Sequence, residues 1–238
     1  MGRFGAASVA AGVSRAAYEG LRRLGSREPR WERTNHAGRA VGLYAGPATA
    51  LGAAAGTAAA GAGAGGAAGV LAVLGAGACG AYDDAYGDHR RGFRAHLAAL
   101  RAGEVTSGAV KLFGIGAAGL VAGALLKERP LDKVLAGVVV AGTAHLVNLV
   151  DVRPGRAGLV VLGLSAPGLL RTPLAAAPVG AVAAVLGDDL AERTMLGDTG
   201  AHALGAAVGT AIAASNGRLG LAVHAAGLVA AAAYAEIR

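Results

Sequence analysis

Residues 40–79 contain no aspartate, glutamate, lysine or arginine. A surface helix of a soluble domain keeps a polar face opposite its apolar stripe, and this stretch has none. The pattern recurs at 114–126, 134–144, 157–170, 203–214 and 219–233. A helix needs about 20 mainly apolar residues to cross the hydrocarbon core of a bilayer. Some of these blocks reach that length, and polar flanks complete the others. Charged residues make up 16% of the chain, against roughly 25% in soluble domains. The sequence therefore predicts an all-α fold, a polytopic transmembrane helical bundle forming one integral membrane domain over 1–238. At ~20–25 residues per span with short loops, the chain holds about eight or nine. The predicted spans are 41–60, 66–80, 107–126, 134–150, 157–170, 173–186, 199–214 and 219–234. Residues 1–22 read as a marginal first span, an interfacial helix or the remnant of a longer amino-terminal segment, because Arg15 and Glu19 interrupt their apolar run.

The chain has 41 glycines and a stretch, 53–69, that is almost pure Ala, Gly and Thr. In a bilayer small residues let helices approach closely and pack by van der Waals contact. The arginine-heavy usage also fits a GC-rich bacterial genome. The formal charge of +7 does not point to nucleic acid. The basic residues sit in loops beside apolar runs, as expected where Lys and Arg flank spans on the cytoplasmic side. By that rule the basic stretch around 22–39, with Trp31 at the interface, is cytoplasmic, in a multi-pass protein of the bacterial inner membrane. Cys79 is the only cysteine and reads as a small buried side chain. No signal peptide is apparent.

The apolar run before residue 80 ends in GAYDDAYGDHRRG, with Asp83, Asp84 and Asp88. Alternating spans bring this stretch, the NLVDVRPGRAG stretch with Asp151, and GDDLAERTMLGDTG with Asp188 to Asp198 to one membrane face. Carboxylates there are costly and face a polar cavity or the bundle interior. Several together call for a cation. Hard oxygen donors suit Mg²⁺, which is held by one or two carboxylates and substrate phosphates; nearby arginines suit phosphate. A plainer reading has Asp83, Asp84 and Asp88 end a helix and pair with Arg90 and Arg91.

In sequence order these stretches resemble the polyprenyl-phosphate N-acetylhexosamine-1-phosphate transferase family, glycosyltransferase-4-like membrane enzymes that include the phospho-MurNAc-pentapeptide translocase. Asp83 and Asp84 match the family's aspartate pair. NLVDVRPGRAGL matches its Asn-Leu-x-Asp motif with Asn148 and Asp151, and GDTGAHALG matches its Gly-Asp-x-Gly motif with Gly197, Asp198, Gly200, Leu204 and Gly205. RGFRAHLAALRAGEVTSGAVKLFG resembles the bacterial GlcNAc-type basic stretch, and RTNHAGRAVGLYAGP the loop before the second span. The resemblance covers about 33–214. Gly87, Val152 and Ala201 stand where the family has lysine, glycine and serine, and its later His-rich loop and last span have no counterpart in 1–238.

The resemblance implies a Mg²⁺-dependent (or Mn²⁺-dependent) transferase acting at the cytoplasmic face in cell-envelope polymer synthesis. Polyprenyl phosphate would attack a UDP-sugar, giving a polyprenyl-diphosphate sugar and UMP. It implies Asp83, Asp84 and Asp198 as catalytic residues, with Asp198 and Asp84 on the metal. Asn148, Asp151, His202, Arg94, Lys111 and Asn35 become substrate-binding residues. A homodimer is compatible with the sequence. His202 lies one turn after Asp198 and shares its helix face, and His145 lies one turn before Asn148. No HxxxH or CxxC spacing suggests zinc. Two other readings stay open: an intramembrane prenyltransferase with Asp-rich diphosphate sites, and a non-catalytic membrane protein, either a degenerate paralogue or a transporter.

Overall fold

The computed structural model describes residues 1–25, 31–61, 63–87, 90 and 92–237. Helices dominate: α1 (Arg3–Leu24), α2 (Ala45–Ala60), α3 (Ala64–Tyr86), α4 (Phe93–Arg101), α5 (Ser107–Leu126), α6 (Pro130–Val150), α7 (Arg156–Leu169), α8 (Ala176–Leu190), α9 (Gly197–Ser215) and α10 (Arg218–Ile237). A 3₁₀ turn over Pro173–Ala175 leads into α8. Five segments are long and apolar enough to cross a membrane: Ala64–Tyr86, Ser107–Leu126, Pro130–Val150, Pro173–Leu190 and Arg218–Ile237. The architecture is an all-α, multi-pass membrane bundle.

The helices α2 and α7 are too short to join those five, at 16 and 14 residues, and α9 falls outside them for a different reason. From Thr199 to Ala211 every residue of α9 is buried. A helix sheathed in protein has no need of lipid-soluble side chains. It needs small ones, and α9 has them. A Cβ on Gly205 would lie 2.6 Å from the Ala144 Cα of α6, and one on Gly209 2.7 Å from the Val140 Cα. A Cβ on Gly80 of α3 would lie 2.7 Å from the Thr199 amide nitrogen. Around α9 stand α2, α3 and α6, with α5 and α10 outside. On α10 only Leu221 and Ala225 are buried, and Leu219, Val223 and Val229 project outward, as lipid-facing side chains do.

Three sequence expectations change, and a fourth gains a location. Residues 1–22 fall largely in α1, which packs along α2 and α8 and is not among the five segments apolar enough to cross a membrane. Its Arg15 and Glu19 are accommodated because they pair with each other and Arg15 reaches Asp188 at 2.7 Å. The span placed at 66–80 continues to Tyr86, because Asp84 finds its partners inside the bundle. The basic stretch around 22–39 contains an antiparallel hairpin, β1 (Glu32–Thr34) with β2 (Ala40–Gly42), in register Arg33 to Val41. The basic stretch after Asp84 contains the helix α4.

The hairpin is tied to the segment before α9. The Gly42 carbonyl accepts from the Met195 amide at 3.1 Å and the Thr194 hydroxyl at 2.8 Å. Its tip is organised by Asn35, whose Oδ1 accepts from the Ala37 and Arg39 amides at 3.0 and 2.9 Å. Pro130 starts α6 at a position where no backbone donor is needed, and the Thr106 hydroxyl caps α5 by accepting from the Ala109 amide at 3.1 Å.

The seam between α3 and α9 gives a first prediction. Gly80→Ala forces a methyl group into the Asp198–Thr199 backbone, and overpacking of this kind costs about 1–3 kcal/mol. Gly187→Ala, where a Cβ meets nothing within 4 Å, is the control. Thermal unfolding in detergent should show a lower midpoint for Gly80→Ala and an unchanged one for Gly187→Ala.

Candidate functional site

The three acidic stretches do converge. The end of α3, the end of α6, the α8–α9 connection and the start of α9 meet at one end of the bundle, beneath the hairpin. At the centre is Lys111, one turn into α5. Its Nζ donates to Asp83 Oδ2 at 2.6 Å and to Asp198 Oδ2 at 2.5 Å. Asp83 and Asp198 are thereby bridged by one ammonium group, and Ser107, at the start of α5, stands close to the Asp83 carboxylate. All three side chains keep an opening to solvent, 20% for Asp83, 22% for Lys111 and 24% for Asp198.

Asp84, the next residue, is used differently. Its Oδ1 accepts from the Asp198 amide at 3.1 Å, and its Oδ2 accepts from the Thr199 amide at 2.9 Å and the Thr199 hydroxyl at 2.6 Å. These amides belong to the first turn of α9, whose N-terminus carries unpaired donors and partial positive charge. Asp84 therefore caps α9 from another helix. Gly197 makes room: its φ is +59°, and a Cβ there would press on both Asp84 oxygens at 3.0 and 3.1 Å. Arg33 of the hairpin donates to the Asp84 backbone carbonyl. With both oxygens engaged, Asp84 is a joint between helices, an arrangement that does not favour the metal role implied for it.

The remaining expected residues divide in the same way. His202 is buried and its Nδ1 donates to the Asp198 carbonyl at 2.7 Å, holding the backbone of the residue that faces Lys111. Asn35, besides shaping the hairpin tip, donates to Glu192 Oε2 at 2.7 Å; it is engaged in structure. Asn148 is half-buried in the last turn of α6, and its carbonyl accepts from the Asp151 amide at 3.1 Å. Arg94 lies on α4 with its side chain exposed. Arg90 pairs with Glu104 at 2.6 Å. His145, on α6, is exposed. Asp88 lies outside the described residues.

Asp188 is held by Arg15 at 2.7 Å and by Arg193 at 2.8 Å. Asp189 accepts from the Gly155 amide at 2.9 Å, fixing the turn before α7. Among the described residues Asp151 has no such partner. It lines a small cleft of ≈ 50 Å³ with Asn35, His36, Arg153, Asp189 and Met195. Burial, then the nearby charges of Asp189, Asp198 and Asp84, push its pKa up to about 7. Sequence reading missed Ser107, Thr199 and Arg33. For Thr199 the signal was present: a hydroxyl directly after an aspartate at a helix start is a cap pattern.

Two carboxylates within reach of each other fit a hard divalent cation, which takes one or two carboxylates and completes its shell with water and substrate phosphate. Among the described residues no group of three His, Cys, Asp or Glu side chains forms a ready-made cation site. Mg²⁺ binding at Asp83 and Asp198 would therefore depend on oxygens from a bound substrate. No family model matches the chain, and no curated protein matches it.

The Asp151 environment has a signed consequence. The folded protein keeps this proton up to about pH 7, whereas the unfolded chain loses it near 3.8. The unfolded state thus binds fewer protons between those values, and stability falls as pH rises from about 4 to about 7. Thermal midpoints measured from pH 5 to pH 8 should decline in the wild type and decline less in Asp151→Asn.

Proposed function

We propose that this protein is a Mg²⁺-dependent sugar-1-phosphate transferase that moves the phosphosugar of a UDP-sugar onto a polyprenyl phosphate at the cytoplasmic membrane face. The observation that carries the reading is the meeting of Asp83, Lys111 and Asp198 at one end of an apolar bundle. Isolated charges are expensive there. An ammonium between two carboxylates, still open to solvent, suits a polyanion that must be held and exchanged. The orientation is supported by the arginines at the site end, among them Arg22, Arg23, Arg33, Arg39, Arg94, Arg101, Arg153 and Arg156. The other end carries Arg3, Lys127, Arg129, Lys133, Arg171 and Arg218.

In this reading a polyprenyl-phosphate oxygen attacks the β-phosphorus of the UDP-sugar. The bond from that phosphorus to the bridging oxygen breaks, and UMP leaves with the electron pair. Asp83 takes the proton if the lipid phosphate arrives as its monoanion. Lys111 follows the charge that builds on the diphosphate oxygens, trading a carboxylate contact for a phosphate contact. Asp198 and Asp83 would hold Mg²⁺, which when bound would polarise the phosphoryl oxygens and neutralise charge. Asp84 keeps the α9 terminus, and with it Asp198, in place. Asn148 and Asp151 face the nucleotide-sugar from the end of α6.

The test is UMP release by purified protein in lipid, with polyprenyl phosphate, Mg²⁺ and a panel of UDP-sugars. Asp198→Asn and Lys111→Met should each lower the rate on the order of 10²–10³-fold. No UMP from any donor would end this reading. Equal rates for wild type and Asp198→Asn would remove Asp198 from the chemistry, and diphosphate release from an allylic donor in place of UMP would move the protein to prenyl transfer.

A further inference from the structure

The helix α4 has a gap at its start. Its N-cap is Gly92, which brings no side-chain oxygen, and its first turn contains no acidic residue. The leading amides of a helix need acceptors, and a negative charge beside them is stabilising. The acid comes from elsewhere. Glu236, in the last turn of α10, places Oε1 3.5 Å from the Arg94 amide. A Cβ built on Gly92 would lie 3.0 Å from the same oxygen, and Gly92 has a φ of +81°. The carboxylate thus occupies the space over Gly92 that any other residue would fill.

The consequence runs into the site. From α4, His96 Nδ1 is 2.9 Å from Thr106 Oγ1, and Thr106 Oγ1 caps α5 through the Ala109 amide at 3.1 Å. The second turn of α5 carries Lys111, bonded to Asp83 and Asp198. We infer that Glu236 is a positioning residue: it anchors α4 to α10, and through His96 and Thr106 it sets the start of α5 that presents Lys111. Otherwise α4 packs chiefly on α5, so this contact adds a tie to α10.

Hydrogen exchange of the wild-type protein in lipid nanodiscs, read by mass spectrometry, tests this without reference to any reaction. Glu236→Gln keeps the size of the side chain and removes its charge. Exchange at the first-turn amides of α4 should rise about two- to five-fold, with a smaller rise at Ala109. Ala95→Glu in the Glu236→Gln background supplies an acid in the first turn of α4 itself and should return exchange to the wild-type rate. A loss of α10 packing unrelated to α4 would not respond to that second change. Unchanged α4 exchange in Glu236→Gln, or failure of Ala95→Glu to restore it, overturns the inference.

Discussion

Everything at the polar end of this bundle is arranged around one ammonium group. Lys111 sits between Asp83 and Asp198, which come from sequence positions 115 residues apart and from the two helices, α3 and α9, that share the tightest seam. Two carboxylates in hydrogen-bonding reach repel each other unless a cation or a proton stands between them. The lysine meets that demand in the protein by itself. It therefore sets how closely the end of α3 can approach the start of α9, and the glycine seam below follows the same approach. Removing the lysine leaves two negative charges facing each other at a membrane boundary, a far costlier state than losing one surface ion pair.

The adjacent pair Asp83–Asp84 shows how a helix divides labour between neighbours. Successive residues on a helix point about 100° apart, so the two carboxylates meet different neighbours. Asp84 turns toward α9 and caps it. Asp83 turns toward α5. The cap also explains why α3 runs on to Tyr86: a carboxylate that satisfies three donors of another helix is no reason for the chain to leave the bundle. A similar split recurs at Asp188 and Asp189, one binding α1 through Arg15 and the other the turn before α7.

Much of this was legible in the sequence. Charge-free runs announced a helical membrane bundle. The spacing of acidic stretches along alternating spans announced that they would meet. The details were hidden where partners are distant in sequence. Arg15 and Glu19 looked like interruptions of a span because Asp188, their compensating partner, lies in another helix. The bond from Asn35 to Glu192 could not be read locally, because the two residues lie 157 positions apart. The hairpin strands, three residues each, are too short to leave a periodicity. The α9 helix was the reverse case: its Gly-Asp-Thr-Gly start looked like a site motif, and in the structure Gly197 and Thr199 serve the Asp84 cap while Asp198 faces the lysine.

Fold alone does not assign chemistry, so the weight falls on telling a reactive cluster from a structural one. The acids of this chain separate by that criterion. Asp84 accepts three bonds at the start of α9, and Asp188 is clamped by two arginines with a side chain only 12% exposed. Such groups are committed to joints between helices, and a ligand that displaced those bonds would open the joint. Asp83 and Asp198 meet a flexible lysine and remain the more open carboxylates, at 20% and 24%. A lysine ammonium on a four-carbon stem can leave one oxygen for another at little cost in geometry. The structural acids hold the helices still, and their rigidity is what allows the remaining two to stay exchangeable.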